Sequence, residues 1–251
     1  MDYAIETAGL TVRFPVRRGA PVLALDHVNL RVKFGQTVGF IGPNGAGKTT
    51  AIHVLLGFVP PTMGEARLFG EDVRRSIARR RIGYLPEHSE TYRFLTGREL
   101  LRLTGKLFLM KGGRLEERVD EVLSIMDIEY AADRRIGSYS KGMQQRICLA
   151  QALVNDPDLV ILDEPTGGLD PLGRMEIRRL ISRLHDDGKT VFFSSHELSE
   201  VELICDDIVM LSNGRVVAEG KVSDQLEPGE SLEQFFLRTA SAGTPAGGKR
   251  P

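Results

Sequence analysis

The stretch that decides the fold is Val38-Gly39-Phe40-Ile41-Gly42-Pro43-Asn44-Gly45-Ala46-Gly47-Lys48-Thr49-Thr50. An apolar run that reads as a buried strand meets a glycine-rich turn, and Ala51 to Leu56 continues as a helix. Gly42, four residues and then Gly47-Lys48-Thr49 is the spacing of a loop that cradles phosphates between a strand and a helix. Glycines let the backbone curl so that several N–H groups face one anion, and the helix start adds partial positive charge. Lys48 can reach the outer phosphates, and the Thr49 hydroxyl can ligate Mg²⁺. The stretch therefore predicts a nucleoside triphosphate site.

A second apolar run, Leu159-Val160-Ile161-Leu162, ends in Asp163-Glu164. A strand that delivers two carboxylates beside a phosphate loop supplies what the chemistry lacks: Asp163 to hold Mg²⁺ and Glu164 to orient or deprotonate water. Thr190 to Phe193 is a further strand, and it leads through Ser194-Ser195 to His196, which can hydrogen-bond a γ-phosphate. Gly137 to Arg146 opens a helix expected over Ile147 to Val154. Its serines suit an N-cap, and Gly142 with its polar neighbours suits an anion site.

Composition narrows the class. The chain has 251 residues, a formal net charge of −1 and two cysteines, Cys148 and Cys205, without metal-ligand spacing. A near-neutral chain has no field to recruit nucleic acid, and two isolated cysteines suit a reduced compartment. No apolar run is long enough to span a bilayer, and the start lacks a basic segment followed by an apolar one, so the expectation is a cytoplasmic chain.

Tyr3 to Phe14 and Val22 to Val32 read as two strands of a small antiparallel sheet, with Phe14 either in the core or stacked on a nucleotide base. Ala66 to Phe69 reads as a short strand. The arginines from Arg74 to Arg81 read as a solvated helix face over Glu71 to Arg81 rather than a nucleic-acid patch. Ile82 to Leu85 is a buried strand ending at the loop Pro86-Glu87-His88. Helical periodicity from Thr96 to Asp133, with a break at Met110 to Gly113, predicts a helical lobe at about 96–137 inserted into an α/β core. Ile208 to Ala218 forms a hairpin, and 239–251, rich in Gly, Ala, Pro and basic residues, reads as a disordered tail after a domain at 1–238.

Taken in order, Gly42 to Thr49, Ser140-Lys141-Gly142-Met143-Gln144, Leu159 to Glu164, Gly168-Leu169-Asp170 and His196 resemble the motifs of ATP-binding cassette (ABC) transporter nucleotide-binding subunits. Tyr84 to Glu87, Tyr139 to Met143 and Leu232 to Phe236 are similar to the exporter branch with a separate membrane subunit. The resemblance implies a phosphate-loop α/β core with a mostly parallel sheet, an N-terminal antiparallel β-subdomain and an inserted helical lobe. It implies ATP contacts at Gly42, Asn44, Gly45, Gly47, Lys48, Thr49 and Thr50, with Phe14 stacked on adenine. Mg²⁺ would be held by Thr49, Asp163 and Glu87, with Glu164 as base and His196 on the γ-phosphate. Ser140 and Gly142 would touch the ATP of a second copy, identical or paralogous, and Asp170 would bridge the two sites. A transmembrane permease is the implied partner, which would place the chain at the inner face of the membrane; no nucleic acid is expected.

Two departures stand out. Glu87 replaces the family's usual glutamine, and Lys141 and Met143 replace a glycine and a glutamine in the signature run, Lys141 either near a phosphate or in solvent. A cassette ATPase working on ribosomes or nucleic acid would bring a second cassette, a long coiled insertion or a basic face. A GTP switch would bring an Asn-Lys-x-Asp run. The sequence has none of these.

Overall fold

The computed structural model describes residues 2–17, 19–88 and 91–242. Strands β1 (Tyr3–Phe14) and β2 (Val22–Lys33) form a hairpin, and β3 (Thr37–Ile41) leads through the phosphate loop into helix α1 (Lys48–Leu55). Strands β4 (Met63–Leu68), β5 (Glu71–Asp72) and β6 (Ile82–Leu85) follow, then helices α2 (Gly97–Leu107), α3 (Gly112–Ile125) and α4 (Lys141–Leu153). Strand β7 (Leu159–Asp163), α5 (Pro171–Asp186), β8 (Thr190–Ser195) and α6 (Leu198–Ile204) complete the core. A hairpin of β9 (Asp207–Ser212) and β10 (Arg215–Lys221) and helices α7 (Val222–Gln225) and α8 (Leu232–Ala242) close the described chain.

Two sheets result. The antiparallel one has the order β2-β1-β4-β5, and the larger one the order β10-β9-β3-β8-β7-β6, parallel throughout except at its β10 edge. The larger sheet is covered on both faces, which is why its strands are unbroken apolar runs rather than alternating ones. Successive side chains divide between the two sides. Leu159, Ile161 and Phe192 join the β1, β2 and α1 side chains, whereas Val160, Leu162 and Phe193 join those of α2 to α6. This is the expected α/β architecture.

Helices α2, α3 and α4 lie between β6 and β7 in the chain, the first two within the lobe at about 96–137. Thr96 and Glu99 start it with a reciprocal cap, Glu99 N donating to Thr96 Oγ1 at 3.1 Å and Thr96 N to Glu99 Oε2 at 2.8 Å. Thr96 also bridges to Arg135, so the lobe's two ends meet.

Three expectations change. Glu71 to Arg81 is β5 and a single 3₁₀ turn (Ser76–Arg79), not a helix, because the arginines find partners that fix other backbone shapes. Arg74 pairs with Asp72, Arg75 with Glu71 and Arg81 with Asp158, while Arg79 donates to the Val73 carbonyl. The helix after the signature run starts at Lys141, six residues before Ile147. Helix α8 runs to Ala242, four residues past 238; the rest of the expected tail, 243–251, lies outside the described residues.

Candidate functional site

Parallel register builds one edge of the site. Ile41 at the end of β3 lies opposite Ser195 of β8, Ser194 lies opposite Asp163 of β7, and Leu162 lies opposite Leu85 of β6. Four strands therefore stop together, and the residues after them, Gly42, His196, Glu164 and the Glu87 loop, form a row at their carboxyl ends. Ligands bind at such ends in open α/β sheets.

The phosphate loop is held from behind. Gly214 N donates to the Ala46 carbonyl at 2.9 Å, so the β9–β10 turn braces it. Gly47 has φ of 109°, and a Cβ there would stand 2.5 Å from the Ala24 carbonyl oxygen of β2. Only glycine fits this position. Helix α1 has no acidic side chain in its first turn, so its N-terminal N–H groups keep their positive potential. Lys48, 7% exposed, folds back over the loop and donates to the Gly42 carbonyl at 2.7 Å. Burial lowers the pKa of its ammonium, against the pull of Glu164, Asp163 and Glu87, which favours the charged form. Asn44, Gly45 and Thr49 are exposed on the loop's open side.

Asp163 is buried and accepts from Ser194 Oγ at 2.5 Å. Glu164 N donates to the same hydroxyl at 3.0 Å and to the Ser194 carbonyl at 3.2 Å. Glu164 has φ of 52°, the left-handed region, and this turn sets the chain off the strand direction directly after Asp163. Its Oε1 lies 4.0 Å from Lys48 Nζ, and its Oε2 lies 2.6 Å from His196 Nδ1 while accepting from His196 N at 3.2 Å. Glu164 thus stands between the phosphate-loop lysine and the strand-end histidine. Burial, with the carboxylates of Asp163 and Glu87 adding to it, pushes the pKa of the Tyr84 hydroxyl up to about 12.

The donor set fits Mg²⁺. The cation takes one or two carboxylates plus phosphate oxygens at a mostly hydrated centre. Asp163 and the Thr49 hydroxyl are hard oxygen donors of that kind, and among the described residues no three His, Cys, Asp or Glu side chains converge into a protein-only cage. Glu87 is exposed at the rim, near enough to act on Lys48 and Tyr84.

The other motifs lie elsewhere. Ser140 caps α4, its Oγ accepting from Met143 N at 3.3 Å, and both Ser140 and Gly142 are exposed. A Cβ at Gly142 would meet nothing within 4 Å. Lys141 is exposed, and its Nζ donates to the Gly168 carbonyl at 2.8 Å. Asp170 caps α5, with Oδ1 accepting from Gly173 N at 2.8 Å. Phe14 is 39% exposed, which removes the core alternative. It pairs with Val22, two residues before the Ala24 that backs Gly47.

Sequence reasoning gave no role to Ser194 or to the ties of the 165–170 loop. Ser194 could have been found from strand register, as the residue opposite Asp163. The bonds from Lys141 to Gly168 and from Gln145 to Pro165 have no local sequence signal.

The profile of the ABC transporter family matches residues 25–167. The chain is 44% identical over 207 residues to an ABC transporter ATP-binding protein of Nostoc sp., covering 82% of this chain and 62% of that one. It is 40% identical over 222 residues to the bacitracin transport ATP-binding protein of Bacillus licheniformis, covering 87% and 70%. The chain therefore spans about three-fifths of the length of some curated relatives, 60% for one from Synechocystis sp.. The solved structure of an ATP-binding subunit of an ABC transporter superposes with a TM-score of 0.84 at 30% identity, over 94% of this chain and 99% of that one. A dimeric, post-hydrolysis ATP-binding cassette bound to ADP and phosphate superposes with a TM-score of 0.79 at 28% identity, over 87% and 98%. With its motifs in order on this fold, the chain belongs to the ABC transporter family, as one of its ATP-binding members.

Proposed function

We propose that the chain binds and hydrolyses ATP as half of a head-to-tail pair of nucleotide-binding subunits, and that the pair drives a separate transmembrane permease in export. The observation that carries this reading is a division within one chain. Lys48, Asp163, Glu164 and His196 converge at the strand ends, while Ser140 and Gly142 sit exposed at the start of α4, Ser140 as its cap. A second copy can bring its own Ser140 and Gly142 to the open side of this phosphate loop, and two such contacts close two sites.

In this reading the N–H groups of Gly42 to Gly47, with Lys48, Thr49 and Thr50, hold the phosphates, and Phe14 covers the adenine. Asp163 and Thr49 hold Mg²⁺, with Glu87 at its rim, and the cation neutralises phosphate charge when bound. Glu164 orients the attacking water, the carboxylate accepting its proton. His196 holds Glu164 through Nδ1 and turns its other face to the γ-phosphate. Asp170 stands at the seam of the two copies. The cassette domain takes in α8, which ends at Ala242, with its lobe at about 96–137.

Export and the permease are supported by the relatives. The Nod factor export ATP-binding protein of Cupriavidus metallidurans is 38% identical over 207 residues, covering 82% of this chain and 68% of that one. A similar solved structure comes from a multi-subunit ABC transporter complex, with a TM-score of 0.76 at 26% identity over 96% of this chain. No helix of the described residues is long and apolar enough to cross a membrane; in this reading the spans are carried by the permease, and the chain works against it at the inner membrane face. Purification of the tagged chain from native membranes tests this. A multi-span protein in near-equal amount is the expected companion; ribosomes or DNA would favour the soluble-ATPase reading.

A further inference from the structure

The Ser195–Leu198 turn, which carries His196, is held on two sides. From β7, Glu164 Oε2 takes the His196 N–H at 3.2 Å and faces Nδ1 at 2.6 Å. From α5, Arg174 Nη1 stands 2.7 Å from Glu197 Oε2. That oxygen is buried and accepts no well-directed hydrogen bond, so the guanidinium charge is its compensation. The same guanidinium reaches the other way: Arg174 Nε donates to the Leu169 carbonyl at 3.2 Å, one residue before Asp170.

The geometry points to Arg174 as a positioning residue that couples the Asp170 loop to the His196 turn. One planar fork holds both, beside a second tie through Glu164, whose carbonyl accepts from Gly167 N at 3.0 Å and whose carboxylate holds His196. A lysine could not substitute, because a single ammonium cannot direct separate N–H groups at a carbonyl and a carboxylate set apart in this way. The neighbouring pair, Arg178 Nη1 with Glu200 Oε2 at 3.5 Å, joins α5 to α6 but touches no part of the loop. Displacement of the loop by a second copy at Asp170 would therefore pull on Glu197 and shift His196 against Glu164. That consequence rests on the dimer reading above; the linkage itself does not.

Hydrogen–deuterium exchange of the intact chain tests the linkage. In Glu197→Gln, a change on the His196 side, the amides of 166–170 should exchange roughly three- to thirtyfold faster, the range such coupling networks carry. Arg174→Lys should speed both 166–170 and 195–200, whereas Arg178→Lys should leave 166–170 at the parent rate. Thermal melting accompanies each variant to separate a local change from unfolding. Unchanged exchange at 166–170 in Glu197→Gln would overturn the proposal, and so would an equal effect from Arg178→Lys. In ATPase assays Arg174→Lys should lower kcat with KM for ATP little moved, and Arg174→Lys/Glu197→Gln should cost no more than the worse single change. Additive losses in that double variant would also overturn the coupling. Full activity in Glu164→Gln would instead remove the dimer-ATPase reading and leave the exchange result standing.

Discussion

The phosphate loop and the signature run both lie at helix starts, yet they are finished to different degrees. The first is braced on every side except one. Ala24 backs Gly47, Gly214 holds Ala46, and Lys48, Asp163 and Glu164 are almost removed from solvent while still paired. The second has Ser140 and Gly142 exposed and open space where a Gly142 side chain would go. A site that is to hold phosphates without collapsing must be rigid before they arrive. A surface that completes someone else's site must be left open. The difference teaches that the phosphate loop is set in place by its neighbours, whereas the Ser140–Gly142 face is left open, as the proposed pairing requires.

The comparison is broken first at the carboxylate. Glu164→Gln keeps the shape and removes the base, and turnover should fall by roughly 10²–10⁴-fold. A phosphate-release assay at saturating ATP reads this, with ATP binding retained. Next in size is Lys48→Ala. Hydrogen bonds to charged groups contribute about 1.5–3 kcal/mol, so ATP binding should weaken by roughly 10–100-fold, measured with a fluorescent ATP analogue.

A pair of glycine changes then sharpens the contrast directly. Gly47→Ala puts a side chain at φ of 109° and against the Ala24 carbonyl, and it should cost about 1–3 kcal/mol, seen as a lowered Tm. Gly142→Ala enters open space inside a helix and should hold or slightly raise Tm. Equal melting of the two variants would erase the distinction between a closed and an open site. The smallest effect is at the rim. Glu87→Gln replaces a charged oxygen by an amide and should shift the Mg²⁺ dependence of hydrolysis a few-fold, roughly, in a Mg²⁺ titration. Superimposable titrations would take Glu87 out of contact with the ion.

What the sequence discloses follows the same line. The phosphate loop, its flanking elements and the Asp163-Glu164 exit are legible because they are local: spacing and apolar runs define them without the rest of the chain. The capping role of Ser140 is legible for the same reason. Contacts that depend on topology are not. Lys141 reaches Gly168, Ser194 reaches Asp163 and Arg174 reaches Glu197 across 23 to 31 residues of chain, and only the sheet order brings them together. Glu71 to Arg81 misleads because a run of arginines among acids looks helical. Here Asp72 accepts from the Arg74 backbone and side chain, which fixes a turn. Exposure at an edge is equally hard to read, so the sequence leaves Phe14 open between core packing and stacking on a base, whereas at the end of β1 it is exposed.

The central claim, that two copies complete each other's sites, is tested most directly by light scattering after size exclusion. The chain is taken as Glu164→Gln, which keeps ATP bound without turnover, at saturating ATP. The account predicts the mass of a dimer with ATP and of a monomer without it. It also predicts that adding Ser140→Ala to the same chain returns much of the dimer to monomer. A Glu164→Gln chain that binds ATP and stays monomeric would contradict the account, as would a dimer indifferent to the loss of Ser140.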